Sequence, residues 1–165
     1  MKLMIMRHGE AGSGANDYNR TLTSTGREDV RRVARMINGT EWNVREIRTS
    51  PLVRTRETGE ELQNHLSPSN QRSLSVEDRL APGFDMEEAL SIFFEVDPNA
   101  VALWVFHMPD VARLASALTG LRESGFYFSP GSVLALNIPV PHPADRGMVV
   151  WQLQPEYLRR VFSAG

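Results

Sequence analysis

Short apolar runs alternate along this chain with longer stretches in which apolar residues return every three or four positions. Leu3-Met4-Ile5-Met6 is continuously apolar, and Val101-Ala102-Leu103-Trp104-Val105-Phe106 is a longer run of the same kind. Such runs suit strands buried on both faces of a parallel sheet, and a shorter one, Val44 to Arg48, lies between them. Val30, Val33, Ala34 and Ile37 follow the i, i+3, i+4, i+7 period of an amphipathic helix, with Thr23 as its N-cap and Gly39 as its stop. A second helix is expected to open at Pro51 with Ser50 as its N-cap, because the missing proline N–H costs nothing at the first helical position. It buries Leu52, Thr55, Gly59, Leu62 and Leu66 and ends in the breaker Ser67-Pro68-Ser69-Asn70.

Further along, Asp85 reads as the cap of a third helix with Met86, Ala89, Leu90 and Phe93 inward. Pro109 or Asp110 starts a fourth, with Val111, Leu114, Ala115 and Leu118 inward and Gly120 after it. Val133 to Ile138 and Met148 to Leu153 read as strands joined by the Pro-rich stretch Pro139 to Gly147, which predicts an antiparallel pair at the sheet edge. Pro155 to Phe162 reads as a short helix. This alternation predicts an α/β three-layer sandwich: a mainly parallel sheet, helices on both faces and an antiparallel edge strand.

Composition narrows the function classes. A chain of 165 residues suits one domain spanning 1–165. Net charge of −2 offers no basic surface for nucleic acid or an anionic membrane. With no cysteine there are no disulfides, thiolate nucleophiles or Cys-type zinc sites. The first apolar run is too short for a signal peptide, and none approaches the roughly 20 apolar residues of a spanning helix. A cytoplasmic monomer with no cofactor is the expectation.

The chemistry sits where the apolar runs end. Arg7-His8-Gly9-Glu10 follows the first, Ser50-Pro51-Leu52-Val53-Arg54-Thr55 follows the Val44 run, and His107-Met108-Pro109-Asp110 follows Phe106. Ligands of open α/β sheets bind beyond the carboxyl ends of the strands, so cationic and titratable residues gathered there suit a phosphoryl group. Guanidinium forks match phosphate oxygens, and Arg7, Arg20 and Arg54 are available. A neutral His8 could attack phosphorus, with His107 hydrogen-bonding the phosphoryl oxygens from the other side. Two rings sharing one phosphoryl group must lie within about 10 Å of each other, since each reaches it at hydrogen-bond distance. The arginines would repel a cation, so no metal is expected.

Together with Ile5-Met6-Arg7-His8-Gly9-Glu10-Ala11, Arg20-Thr21-Leu22-Thr23-Ser24-Thr25-Gly26 and Leu80-Ala81-Pro82-Gly83, these motifs occur in an order that resembles the histidine phosphatase superfamily, the phosphoglycerate-mutase-like proteins. Within it, the chain is similar to the small bacterial phosphohistidine phosphatases of the SixA type, from Lys2 to about Leu153. The resemblance implies that His8 is the phosphorylated nucleophile and that Arg7, Arg20, Arg54 and His107 form the phosphate site. Two departures stand out. Phe106 occupies the place before the second histidine where the family often has glycine. No match is evident for the mid-chain glutamate that donates a proton in mutases and broad phosphatases, and Glu77, Asp78, Asp85, Glu87 and Glu88 are the acids in that region. Asp17 is a further candidate proton donor.

An imidazole leaving from phosphohistidine needs less acid assistance than an alkoxide leaving from a monoester. The short stretch between the second helix and the Val101 run leaves little chain for a lid. Both features favour removal of phosphate from histidine on a phosphorelay or phosphotransfer protein, without metal. A phosphatase or mutase of small phosphorylated metabolites is the alternative within the superfamily, and a non-catalytic phosphoprotein-binding module the alternative outside it. Other polar residues have plain readings. His65 ends a helix, where a cation favours the dipole; His142 is a loop residue. Arg31, Arg32 and Arg35 share a solvated helix face with Glu28, Arg56 points away from Arg54, and Met4, Met6 and Trp104 are core.

Overall fold

The structure is a computed structural model and describes residues 1–68, 72–139 and 147–162. Ser69, Asn70, His142 and most of the Pro139 to Gly147 connection therefore lie outside the described residues. Six strands form one sheet in the order β3-β2-β4-β1-β5-β6. They are β1 (Lys2–Arg7), β2 (Val44–Thr49), β3 (Ser73–Val76), β4 (Val101–Phe106), β5 (Val133–Asn137) and β6 (Met148–Leu153). β3, β2, β4 and β1 run parallel, while β5 is antiparallel to both β1 and β6. The reversed strand is thus second from the edge, and β6 itself points the same way as β1.

Helices cover both faces, as expected. α1 (Ser24–Asn38), α2 (Val53–His65) and α5 (Pro155–Phe162) pack with Met4, Met6, Leu103 and Val105 on one face. α3 (Met86–Ser91) and α4 (Asp110–Thr119) pack with Leu3, Ile5, Trp104 and Phe106 on the other. Thr23 caps α1 by accepting from the Gly26 amide, and Val30, Val33, Ala34 and Ile37 are all buried. Asp85 caps α3 through the Glu87 and Glu88 amides. Gly120 ends α4 with φ of 69°, where glycine avoids the Cβ clash of the left-handed region. α1 and α2 are also clamped together by charge. Arg27 reaches Glu57 at 2.6 Å and Glu61 at 3.2 Å, and Arg31 reaches Glu61 at 3.0 Å. Arg31 is therefore more than the solvated partner of Glu28 that helical spacing suggests.

β1 and β4 are neighbours, yet α1, which follows β1, and α4, which follows β4, lie on opposite faces. That arrangement opens a crevice at the carboxyl ends of the two strands, the place where open α/β sheets bind ligands. The segment that could have formed a lid is used elsewhere. Leu80, Phe84, Ala89, Ile92, Phe93 and Val96 are all buried in the core on the α3 and α4 side.

Candidate active site

Parallel register brings the motif residues together. Arg7 pairs with Phe106, the His8 amide donates to the Phe106 carbonyl at 3.0 Å, and the Ser50 amide donates to the Val105 carbonyl at 2.9 Å. His8, Ser50 and His107 consequently leave three adjacent strands at one edge of the sheet. The His8 and His107 ring centroids are 5.3 Å apart, well inside the separation that a shared phosphoryl group allows. Phe106 does not crowd this edge, because its side chain is buried on the other face against Phe84.

Hydrogen bonding fixes the protonation of His8. Its Nδ1 is 2.7 Å from the Gly9 carbonyl, which can only accept, so Nδ1 carries the hydrogen and the neutral ring keeps a lone pair on Nε2. Arg54 Nε donates to that Nε2 at 3.2 Å. Burial pushes the His8 pKa down to about 4, against the bond to Gly9 and with help from the charges of Arg54, Arg7 and Arg20. Burial, then His8 and Arg54, push His107 down to about 3. Both rings are neutral near pH 7.

The three arginines are held differently. Arg54 lies buried in the first turn of α2, and donates from Nη1 to the Asp17 carbonyl at 2.7 Å and from Nη2 to the Asp17 carboxylate at 3.0 Å. Arg7 donates from Nη1 to the Phe128 carbonyl at 2.8 Å, while its buried Nε has no partner among the described residues. Arg20 stitches the loop before α1: Nε donates to Gly12 O at 2.7 Å, Nη1 to Asp17 Oδ1 at 2.9 Å and Nη2 to Ala11 O at 3.4 Å. Its charge is felt at His8, though much of its hydrogen-bonding fork serves the loop.

Asp17 is correspondingly a poor proton donor. Hydrogen bonds from Arg20 and then Arg54 hold its carboxyl below the usual carboxylate range, so it stays ionised where a general acid must be protonated. It braces the two arginines instead. Among the mid-chain acids, Glu77 is held ionised mainly by Arg79, with Arg48 adding to the effect, and Asp85 is occupied in capping α3.

Several residues around the site have roles that the sequence does not announce. Ser50 does not cap α2: the helix begins at Val53, its N-cap is Leu52, and no side chain caps it. The fully buried Ser50 hydroxyl lies 2.6 Å from His107 Nε2. Thr58 Oγ1 accepts from the Gly9 amide at 3.1 Å and donates to the Arg54 carbonyl at 2.7 Å, tying β1 to α2. Its spacing of four from Arg54 on one helix was the available signal. Gly26 is required by close approach, since a Cβ there would lie 2.2 Å from the Glu10 carbonyl oxygen. His65 is ordinary, bonded to the Glu61 carbonyl at its helix end, and Arg56 is exposed.

Comparison with known proteins adds a family likeness. Residues 3–81 match the model of the histidine phosphatase superfamily (branch 1). The chain is 28% identical over 160 residues to the phosphohistidine phosphatase SixA of Escherichia coli strain K12, covering 94% of each protein. A structure of the protein histidine phosphatase SixA complexed with tungstate superposes with a TM-score of 0.84 at 26% identity, covering 96% of this chain and 99% of that one. A SixA-type structure from Nakamurella multipartitia, 22% identical and covering 93% and 95%, shares the fold with a TM-score of 0.79.

Proposed function

Because residues 3–81 match the histidine phosphatase superfamily model and the chain is similar to SixA along nearly its whole length, we propose that it removes phosphate from phosphohistidine on a phosphorelay or phosphotransfer protein, through a phosphohistidine intermediate on His8 and without metal. The observation that carries this reading is the state of His8. Its Nδ1 is committed to Gly9, its ring is neutral, and its Nε2 lone pair faces a buried guanidinium. A neutral nucleophile beside fixed positive charge is what attack on an anionic phosphoryl group needs.

In the first step the Nε2 lone pair forms a bond to phosphorus while the substrate's P–N bond breaks, its electron pair going to the departing ring nitrogen. If the distal nitrogen of that ring is already protonated, the imidazole leaves neutral and needs no donor. That relieves the site of the general acid that neither Asp17 nor Glu77 is placed to supply. Arg7, Arg54 and His107 hold the non-bridging oxygens, and Arg20 adds charge from the loop. Water then attacks phosphorus on His8, the N–P bond breaks toward Nε2, and both water protons leave with the phosphate. The likeness to SixA and the tungstate oxyanion in a SixA structure support the substrate class. Among the described residues, no group of three or more His, Asp or Glu side chains is arranged to hold a metal ion. No described helix is long and apolar enough to cross a membrane, and the burial of Leu80, Phe84, Ala89, Ile92, Phe93 and Val96 in the core, away from the crevice, suits a histidine presented by a folded partner.

The test offers purified protein a phosphohistidine-bearing domain and a panel of sugar phosphates without added metal, comparing initial rates and trapping the phosphoenzyme. Faster turnover of the phosphohistidine domain with label on His8 is expected. Faster turnover of a sugar phosphate would return the assignment to the metabolite phosphatases.

A further inference from the structure

We propose that Ser50 is a positioning residue that sets the tautomer of His107, so that Nδ1 carries the hydrogen and presents it to the phosphoryl oxygens. His107 is buried, and only one of its ring nitrogens has a partner among the described residues: Nε2, 2.6 Å from Ser50 Oγ. Nδ1 is buried without one. Two tautomers are compatible with the short contact. In one, Nε2–H donates to Ser50, and Nδ1 is left as a bare lone pair. In the other, the Ser50 hydroxyl donates to Nε2, and Nδ1–H is the free donor.

The hydroxyl decides between them. Among the described residues, Ser50 Oγ has no hydrogen-bond partner other than His107 Nε2. In the first tautomer its single hydrogen would be buried with no acceptor, a desolvation penalty that the second avoids. The second also supplies what an anion requires, a hydrogen aimed outward, whereas a bare Nδ1 would repel phosphoryl oxygen. Ser50 is itself rigidly held. Its amide bonds Val105 at the end of β4, and its carbonyl accepts from Thr55 Oγ1 at 2.7 Å in α2. The hydroxyl is therefore anchored to the strand that delivers His107 and to the helix that delivers Arg54. This explains why a serine buried at the end of β2 is not spent on capping.

The role of His107 as phosphoryl donor rests on the proposed function, but its tautomer can be read without any substrate. In the 15N-labelled full chain at pH 7, long-range proton–nitrogen correlation should show His107 with a protonated Nδ1 and a bare Nε2, and inorganic phosphate should shift the Nδ1–H signal. In Ser50→Ala, the two tautomers should exchange, and kcat on a phosphohistidine domain should fall about 10- to 100-fold, part of the 10²–10³ expected for outright loss of an oxyanion donor. A protonated Nε2 in the wild type overturns the proposal even if the variant fails to fold. So does an unchanged tautomer, or an unchanged kcat, in a folded Ser50→Ala. A wild type with the expected tautomer but no phosphohistidine turnover would instead count against the proposed function alone.

Discussion

Two arginine clusters in this protein differ in how their charge is matched. At the β2–β3 side of the sheet, Arg48 and Arg79 share Glu46, Glu77 and Glu95, with Arg79 at 2.7 Å from both Glu77 and Glu95 and Arg48 at 3.0 Å from Glu77. Those guanidinium groups meet a carboxylate on nearly every side. At the carboxyl edge of β1 and β4, among the described residues, Arg20 and Arg54 share one carboxylate, the exposed Asp17, and Arg7 keeps a buried Nε unpartnered. Two neutral histidines lie within the same cluster. The first cluster is electrically closed, and the second has a positive surplus in a partly desolvated place, where an added anion lowers the energy. The contrast separates arginines whose charge is matched within the fold from arginines whose charge is left over, the surplus on which the proposed function relies.

The sharpest break comes at the proposed nucleophile. His8→Ala should abolish turnover and phosphoenzyme labelling while the melting temperature stays near that of the wild type, which rate measurement and calorimetry would check together; full activity in this variant would end the covalent mechanism. Arg54→Ala should lower kcat/KM by about 10²–10³-fold, with both phosphate binding and the chemical step affected, because its charge acts in the bound and the reacting states. Steady-state kinetics and phosphate inhibition measure the two parts.

Backbone closeness predicts a different failure. Gly26→Ala places a Cβ against the Glu10 carbonyl, so about 2–4 kcal/mol of stability should be lost, within the range of severe single substitutions, and denaturant unfolding would show it.

pH sharpens the comparison further. His8 and His107 have folded values of about 4 and 3 against 6.5 unfolded. Between roughly pH 6.5 and 3 the two rings bind more protons in the unfolded chain than in the native one, so their contribution to stability should fall as pH drops through that window and level off below it. The acid limb of kcat/KM should accordingly sit near pH 4 rather than 6.5. In contrast, Arg79→Ala in the closed cluster should leave turnover unchanged and cost about 1 kcal/mol or less, as its pairs are largely solvent-screened.

Much of the fold was legible along the chain because its signals are local. The Thr23 cap, the Val30 to Ile37 stripe, the Asp85 cap and the Gly120 stop each need only a few neighbouring residues to state their role, and each recurs in the structure. β3 was the faintest element: Ser73–Val76 has no buried residue and alternates weakly. Ser50 shows why a local rule can mislead. A serine before a proline satisfies the capping pattern, but the same hydroxyl, carried to within 2.6 Å of a histidine 57 positions away, finds a stronger and drier partner.

By itself, then, the order of residues determined which segments become strands and helices and which chemical groups stand at their ends, because periodicity, capping and turn residues act over a few bonds. Strand order belonged to tertiary packing. That packing set β4 between β2 and β1, put α1 and α4 on opposite faces, closed Arg20 and Arg54 around Asp17, and gave Arg7 the Phe128 carbonyl. Those pairings depend on burying two apolar faces at once and on satisfying each polar group that this burial strips of water, a condition no short stretch of sequence can express.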